Sequence, residues 1–199
     1  MSLRIIAGKY KSRKIHSALT GKDEIKQLKS SESGSNNNQK LRPTTDRARE
    51  SLFNILNNIV DFEGLKCLDL FAGTGAVGFE LLSRGAANVS FVESSSIQAK
   101  LIEKTAISLG CDSQIEIFTE DAANFLLRHE GEFYDFVFSD PPYRHNDNER
   151  WLNLLSSLKF NIFVFEHGST EKPDFILEGF SSIERKTGIT NFKIFVSEN

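Results

Sequence analysis

The sequence predicts an α/β fold with a mostly parallel sheet of seven strands and helices on both faces. From about residue 64, strand-like apolar runs alternate with helix-length segments, and several of these runs are apolar at nearly every position. Such alternation gives a parallel sheet, and strands without polar positions are covered on both faces. The last two runs are too close for a helical crossover, so the sequence predicts that they pair antiparallel.

The predicted elements follow one another in a regular order. A helix begins after Pro43, where Thr44, Thr45 or Asp46 can cap it, and apolar residues then recur at helical spacing from Leu52. The remaining elements are, in order, the strand KCLDLF, a helix from near residue 75 through VGFELLSRG, the strand VSFVE, a helix over 95–109, the strand QIEIFT, a helix near 121–129, the strand YDFVFSD, a helix around 148–157, the strand NIFVFEH, and the strand pair SSIERKT and FKIFVSE.

Residues 1–45 are expected to form a small basic unit ahead of a domain over 46–199. The stretch LRIIAGKYKSRKI alternates apolar and basic residues around a glycine, which predicts a short β-hairpin. Residues 17–40 have almost no apolar content and are predicted to be a mobile polar loop. The basic side chains of the hairpin are Arg4, Lys9, Lys11, Arg13 and Lys14.

The charge is distributed unevenly along the chain, whose formal net charge is −3. Residues 1–49 hold 12 Lys and Arg against 4 Asp and Glu, whereas residues 50–199 hold 12 against 23. This asymmetry favours a basic arm for a polyanion attached to an acidic body, with a merely solvated basic tail as the alternative.

Several classes of protein are excluded by composition. No apolar run approaches the roughly 20 residues of a membrane span, and the charged N-terminus lacks a signal core. Cys67 and Cys111 have no metal-ligand spacing and the four histidines are scattered, so no metal site is expected. His145 and His167 lie near strand ends and are expected to be surface or rim residues. We predict a cytoplasmic protein, monomeric because no apolar stripe is left over for an interface.

A glycine-rich stretch, CLDLFAGTGAVG, raises the question of which cofactor it binds. Gly73, Gly75 and Gly78 have the G-x-G-x-x-G spacing of a dinucleotide fingerprint, and Glu93 follows at the expected distance. Asp69, however, places a carboxylate where the pyrophosphate would lie, and like charges repel strongly at low dielectric. S-adenosylmethionine carries an ammonium and a sulfonium and no phosphate, so the loop with Asp69 favours this methyl donor.

Four predicted strands end in a carboxylate: Asp69, Glu93, Asp121 and Asp140. A single strand-end aspartate is more often a helix cap than a ligand, but four at one sheet edge favour a site. We expect Glu93 to accept hydrogen bonds from the ribose hydroxyls of the cofactor. Asp121 is expected to meet the adenine amino group.

The stretch DPPY, Asp140 to Tyr143, supplies the reaction chemistry. Pro141 and Pro142 fix φ and remove two backbone donors, which leaves a stiff turn that presents carbonyl oxygens. The Asp140 side chain and the Pro141 carbonyl can accept both hydrogens of an exocyclic amine while Tyr143 stacks on its base. The amine lone pair then points at the sulfonium methyl. A rigid turn with a packed tyrosine is the structural alternative.

These motifs together resemble a known family. LDLFAGTGAVGFELLSRGA with DPPY resembles the class I, Rossmann-like amino-methyltransferases, and RIIAGKYKSRKI with LRPTTDRARESLFNIL narrows the resemblance to the bacterial RsmD family. That family methylates the exocyclic N2 of a guanine in 16S ribosomal RNA with S-adenosylmethionine. The resemblance extends from the N-terminal arm to about Glu166. The polar stretch of about two dozen residues before LRPT departs from the family pattern, and we expect a surface insertion.

The resemblance also implies roles for individual residues. Asp140, Pro141, Pro142 and Tyr143 would carry the target amine, and N–H groups near Thr44 and Thr45 would hold the cofactor carboxylate. The cofactor pocket would comprise Asp69, Phe71, Ala72, Gly73, Gly75, Glu93, Asp121 and Ala122. The hairpin would grip RNA phosphates. Arg42, Arg47 and Arg49 would either face RNA or belong to a capped amphipathic helix.

The expected partner is 16S rRNA in a folded or partly assembled small subunit, because the target base must be flipped out of its helix. Adenine-N6 methylation of DNA or RNA is the nearest alternative, since DPPY chemistry serves both amines. A NAD(P)-dependent oxidoreductase and a non-catalytic ribosome assembly factor are the more distant alternatives.

Overall fold

The computed structural model describes residues 3–17, 46–141, 148–168, 175–188 and 190–198. Within these ranges it contains one sheet of seven strands in the order β3-β2-β1-β4-β5-β7-β6. The first five strands in this order are parallel, and β7 is antiparallel to both of its neighbours. The predicted mixed sheet is confirmed. The strands are β1 (Lys66–Asp69), β2 (Asn88–Val92), β3 (Ile115–Phe118), β4 (Phe133–Ser139), β5 (Lys159–Gly168), β6 (Phe180–Thr187) and β7 (Thr190–Ser197).

Five α-helices connect or precede these strands in the described part of the chain. Their bounds differ from the predicted ones by a few residues, as helix ends usually do. Ser95 caps α3, whose last turn is closed by Gly110 in the left-handed conformation at φ 71°. None of these helices is long and apolar enough to cross a membrane. The helices are α1 (Asp46–Leu56), α2 (Ala76–Ser83), α3 (Ser96–Leu109), α4 (Ala122–Arg128) and α5 (Asn148–Leu155).

The sheet separates two apolar layers, as an α/β sheet covered on both faces requires. On one face the side chains of Cys67, Phe136 and Val164 pack with α1, α2, α3 and the N-terminal segment. On the opposite face those of Leu68 and Val137 pack with α4 and α5. The central strands β1 and β4 therefore alternate between two cores rather than between a core and solvent, whereas the edge strand β6 is largely exposed.

The strand register aligns one residue from each of four parallel strands. Phe91 of β2 pairs with Asp69 of β1, Asp69 pairs with Phe138 of β4, and Phe138 pairs with Val164 of β5. Paired residues on neighbouring strands point to the same face of a sheet, and so do residues two positions apart along one strand. Residues that lie two positions beyond this row, toward the carboxyl edge, are therefore expected to point to the same face as the row.

The N-terminal segment, residues 3–17, reverses direction and packs onto the domain. A single antiparallel bridge, Arg4 to Lys14, replaces the two strands of a regular hairpin. The segment's apolar side chains, those of Ile5, Tyr10 and Ile15, are buried in the core with α1, α2 and α3. The predicted polar loop, apart from residue 17, and the predicted boundary at residue 45 lie outside the described residues.

Buried polar groups of α2 hold this segment in place. The Glu80 carboxylate accepts the N–H groups of Ile6 and Ala7 at 2.8 and 3.0 Å. The Ser83 carbonyl accepts the N–H of Lys9 at 2.7 Å, and its hydroxyl accepts the N–H of Tyr10 at 2.9 Å. Because α2 starts at the carboxyl edge of the sheet, Ser83 at its end lies toward the amino edge, and the segment is anchored there.

Candidate functional site

The glycine loop after β1 has the geometry that its sequence predicts. Gly73 and Gly75 adopt positive φ values of 52° and 72°, which only glycine tolerates well, and Gly75 is the N-cap residue of α2. Gly78 serves packing instead, because a Cβ there would lie 2.2 Å from the ring of Phe91 on β2. The N–H of Ala72 donates to the Val92 carbonyl at 2.9 Å and ties the loop to the sheet edge.

Asp69, at the end of β1, is buried beneath the first turn of α2. Its Oδ2 accepts the N–H of Gly78 at 3.1 Å. Burial raises the pKa of Asp69 to about 7, the hydrogen bond from Gly78 opposes that shift, and the nearby charges of Glu93 and Glu166 add to it. The carboxylate therefore accepts a hydrogen bond from an N–H group at the start of the helix, where a pyrophosphate would need N–H donors. A cation placed beside it would favour its ionised form.

Glu93 joins the glycine loop to the loop that follows β2. One carboxylate oxygen accepts the N–H of Gly73 at 2.8 Å and the other accepts the N–H of Ser95 at 2.7 Å. Burial raises the pKa of Glu93, while these two hydrogen bonds act to lower it. The residue therefore fixes the two loops that a bound nucleoside would contact, and each oxygen retains a second lone pair.

Four carboxylate residues lie at or just beyond the carboxyl ends of neighbouring parallel strands. Asp69 belongs to the aligned row of four strands, and Glu93, Asp140 and Glu166 each lie two residues beyond that row. Asp140 is half-buried, whereas Glu166 is buried. The register thus brings together three of the four predicted carboxylates and adds Glu166, which the motifs did not single out.

Asp121, the fourth predicted carboxylate, caps α4. One side-chain oxygen accepts the N–H groups of Ala123 and Asn124 at 2.9 and 3.4 Å, and the residue is exposed. Ala122, the first residue of the helix, is buried. Asp121 therefore caps the helix, and its contact with adenine stays a prediction.

The proposed amine-binding turn begins within the described residues. Pro141 is buried and follows Asp140, but Pro142 and Tyr143 lie outside the described part of the chain. Phe71 of the glycine loop packs edge-on against Trp151 of α5 at a ring distance of 5.3 Å, which connects the loop to the helix after this turn. The other predicted site residues outside the described ranges are Arg42, Thr44 and Thr45.

The basic side chains of the N-terminal segment all face solvent: those of Arg4, Lys9, Lys11, Arg13 and Lys14. Arg47 in α1 is exposed as well. Arg49 is fully buried, so the reading in which it faces RNA is wrong. Its guanidinium donates to the Arg4 carbonyl at 2.5 Å and to Asp46 at 3.0 Å, and lies 3.9 Å from the Glu80 carboxylate.

Two residues near the end of β5 are buried, which the sequence did not predict. Glu166 and His167 lie near the end of β5, directly after its apolar residues. Polar residues at the end of a strand have no characteristic spacing in the sequence that would predict their burial. His167 is only 6% exposed, and its ring stacks on that of Phe165 at 5.7 Å, so the expectation of a surface position is wrong. His145 lies outside the described residues, among which no cluster of three metal-ligating side chains occurs.

The sheet order, the glycine loop and the carboxylate edge define the class of protein as a Rossmann-like class I methyltransferase. Solved structures agree with this class. The candidate methyltransferase yhhF of Escherichia coli superposes with a TM-score of 0.78 at 26% identity, covering 100% of this chain and 99% of that one. The candidate methylase HI0767 of Haemophilus influenzae gives a TM-score of 0.72 at 29% identity, with both chains covered completely.

Sequence comparison narrows the class to a family. The family model described as "Conserved hypothetical protein 95" matches residues 3–196. "Ribosomal RNA small subunit methyltransferase D" of Haemophilus influenzae is 35% identical over 165 residues, 80% of this chain and 84% of the relative. The Escherichia coli protein of the same name is 39% identical over 115 residues, 58% and 56% of the two chains. The chain belongs to this family, the RsmD family of methyltransferases.

Proposed function

We propose that this protein transfers a methyl group from S-adenosylmethionine to the exocyclic N2 of a guanine in 16S ribosomal RNA. The observation that carries the proposal is the position of Asp69, Glu93 and Asp140 at the carboxyl ends of three neighbouring parallel strands, with Glu93 bonded to the glycine loop. Relatives named as small-subunit rRNA methyltransferases support the RNA substrate.

The cofactor proposal follows from the chemistry of the loop residues. S-adenosylmethionine would lie across Gly73 and Gly75, with its ribose hydroxyls donating to Glu93. Phe71, Ala72, Asp121 and Ala122 would line the adenosine, and the segment at Thr44 and Thr45 would hold the carboxylate. Asp69 disfavours a phosphate-bearing cofactor, because it already accepts the Gly78 N–H that a pyrophosphate would use.

The proposed reaction is an in-line displacement that needs no strong base. The Asp140 carboxylate and the Pro141 carbonyl accept the two N2 hydrogens, and Pro142 and Tyr143 complete the turn that orients the base. The N2 lone pair attacks the sulfonium methyl as the carbon–sulfur bond breaks, which leaves S-adenosylhomocysteine. The methylated amine then loses one proton to solvent. Positioning supplies most of the acceleration.

The N-terminal segment is proposed to bind the RNA backbone. Its five exposed cations, with Arg42 and Arg47, would contact phosphates and give salt-dependent affinity without sequence information. A folded or partly assembled small subunit, rather than a short naked hairpin, is the expected substrate, with the enzyme acting as a monomer.

The test is methylation of small-subunit particles from a strain that lacks this protein, followed by mass spectrometry of the nucleosides. The wild type should form N2-methylguanosine, and Asp140→Ala should reduce its rate by about 100-fold or more, because lost positioning raises the barrier. The exposed Glu130→Ala is the control. Formation of N6-methyladenosine would instead establish the adenine alternative. Full activity of Asp140→Ala would remove the assignment of Asp140.

A further inference from the structure

The exposed face of α3 carries two lysines between the proposed cofactor site and the N-terminal segment. Lys100 and Lys104 are both exposed and lie one helical turn apart, about 6 Å along the axis. Ile107, one turn further, is 64% exposed, which is unusual for a large apolar side chain in the described residues. A continuous line of accessible side chains thus follows the helix.

The two ends of α3 join the two proposed functional regions. Its first turn adjoins the site, because Ser95 caps the helix and donates its N–H to Glu93. Its last turns adjoin the N-terminal segment: the Arg13 guanidinium donates to the Ser108 carbonyl at 2.7 Å, and the His16 N–H donates to the Thr105 hydroxyl at 3.0 Å. The 14 residues of α3 span about 21 Å.

This arrangement separates the basic segment from the reaction site. The segment is anchored at Ser83 and Ser108, near the ends of α2 and α3, and both helix ends lie toward the amino edge of the sheet. The carboxylate row lies at the opposite edge. An RNA held by the segment must therefore run along the body of the domain to bring its target base to Asp140.

We propose that the exposed face of α3 is a second RNA-binding surface, which carries the phosphate backbone from the N-terminal segment to the methyl-transfer site. The inference rests on the proposed function. Lys100 and Lys104 would contact consecutive phosphates, and Ile107 would pack against a ribose or an unstacked base. Arg13, exposed beyond Ser108, continues the cationic line into the segment.

The charge of the remaining surface supports this path. Residues 50–199, which include α3, hold 23 acidic against 12 basic side chains, so the domain as a whole is negatively charged and repels a polyanion. Glu103 is exposed on the same helix and offsets part of the lysine charge, and Asp112 and Glu116 are exposed on the chain that follows. The cations of α3 and of the adjoining segment still outnumber these carboxylates.

The test compares Lys100→Ala/Lys104→Ala with the control Lys159→Ala/Lys186→Ala, whose lysines are exposed on β5 and β6, away from α3. Affinity for small-subunit RNA is measured from low to high potassium chloride. The α3 variant should bind about tenfold more weakly at low salt and lose about one unit of salt slope per lysine. The binding of S-adenosylhomocysteine and the melting temperature should not change.

The possible outcomes separate the two proposals. An unchanged salt slope in the α3 variant, or an equal loss in the control, would overturn the α3 surface while leaving the methyltransferase reaction intact. A wild type that neither binds nor methylates small-subunit RNA would overturn both. A charge reversal, Lys100→Glu/Lys104→Glu, should weaken RNA binding further than the alanine variant, because it adds repulsion to the lost contacts.

Discussion

Gly8 of the N-terminal segment packs directly against the backbone carbonyl of Ser83, the last residue of α2. A Cβ built on Gly8 would lie 1.8 Å from that carbonyl oxygen, and the φ of Gly8 is +78°. No side chain fits between the segment and the helix at this point. A single added methyl group at Gly8 would therefore shift the segment locally from its position on α2.

Gly8→Ala should therefore displace the segment and weaken RNA binding by about tenfold or more, while the cofactor site remains intact. Gly64→Ala is a matched control, since Gly64 has the same φ of +78° and a Cβ there meets nothing within 4 Å. Filter binding of small-subunit RNA and calorimetry with S-adenosylhomocysteine check the prediction. Equal RNA affinities for the two variants would contradict it.

Removal of Glu80 should cost far more stability than removal of Arg49, although the two are partners. Glu80→Ala leaves the buried Arg49 with Asp46 as its one acidic partner among the residues that the structure describes, and is expected to cost about 3–5 kcal/mol of unfolding free energy. Arg49→Met leaves Glu80 with Arg84 and two backbone N–H groups, and should cost no more than about 2 kcal/mol. Urea denaturation measures both, and the reverse order would refute the assignment.

Glu93 should control cofactor affinity through the two loops that it joins. Glu93→Ala removes two hydrogen bonds to backbone N–H groups and should weaken S-adenosylhomocysteine binding by about 100-fold. Glu93→Gln keeps one acceptor and should weaken it by about tenfold. Calorimetry is the measurement, with Glu130→Ala as the control. Equal affinities for the alanine and glutamine variants would show that the loops do not depend on these bonds.

Asp69 should make stability depend on pH in the direction opposite to that of most aspartates. Its pKa rises from 3.8 to about 7 on folding, so between these values the folded state binds more protons than the unfolded state. Its contribution to the unfolding free energy therefore falls as the pH rises from about 4 to about 7, and is level above. Asp69→Asn should lose this slope. Urea denaturation from pH 4.5 to 8 compares the two proteins.

The same residue should make cofactor binding depend on pH. Ionised Asp69 attracts the sulfonium, so the affinity for S-adenosylmethionine should increase as the pH rises through about 7. S-adenosylhomocysteine lacks that charge and should show a smaller increase. Identical pH profiles for the two ligands would place the sulfonium away from Asp69.

Gly78→Ala should destabilise the fold by about 1–3 kcal/mol, because the new methyl group meets the Phe91 ring. Phe91→Leu removes that ring and should partly relieve the clash. The double variant should therefore be more stable than the sum of the two single losses predicts. Additive losses in thermal or urea denaturation would show that the two residues do not meet.

The succession of strands along the chain was predictable because each strand carries its own signal, whereas their order in the sheet was not predicted. Continuous apolar runs such as FVF in β4 indicate strands buried on both faces, and the glycine spacing marks the turn after β1. The N-terminal segment was less predictable. Its alternating residues indicate a hairpin, and its two arms do share backbone hydrogen bonds, such as that from Ile5 to Arg13. Other N–H groups of the segment bond to Glu80 and Ser83 instead, and three of its apolar side chains are buried against α1, α2 and α3.

The candidate site was predictable where residues carry a motif, and not where tertiary packing decides their environment. Gly73, Glu93 and Asp69 lie together as their spacing predicts. Glu166 was missed because only the strand register reveals that it shares a face with Asp140. The sequence could not decide whether Arg49 is buried, for the same reason. An arginine on an amphipathic helix is expected to face solvent unless its partners on other elements are known.

The docking of residues 5–15 means that the basic segment is not a removable appendage. A chain that lacked residues 1–15 would lose three side chains from the main core. The Glu80 carboxylate would also lose the two backbone N–H groups that now donate to it. The proposed RNA-binding role of the segment and the stability of the domain therefore depend on the same contacts. A chimera that exchanges this segment between relatives must exchange the facing surface of α2 as well.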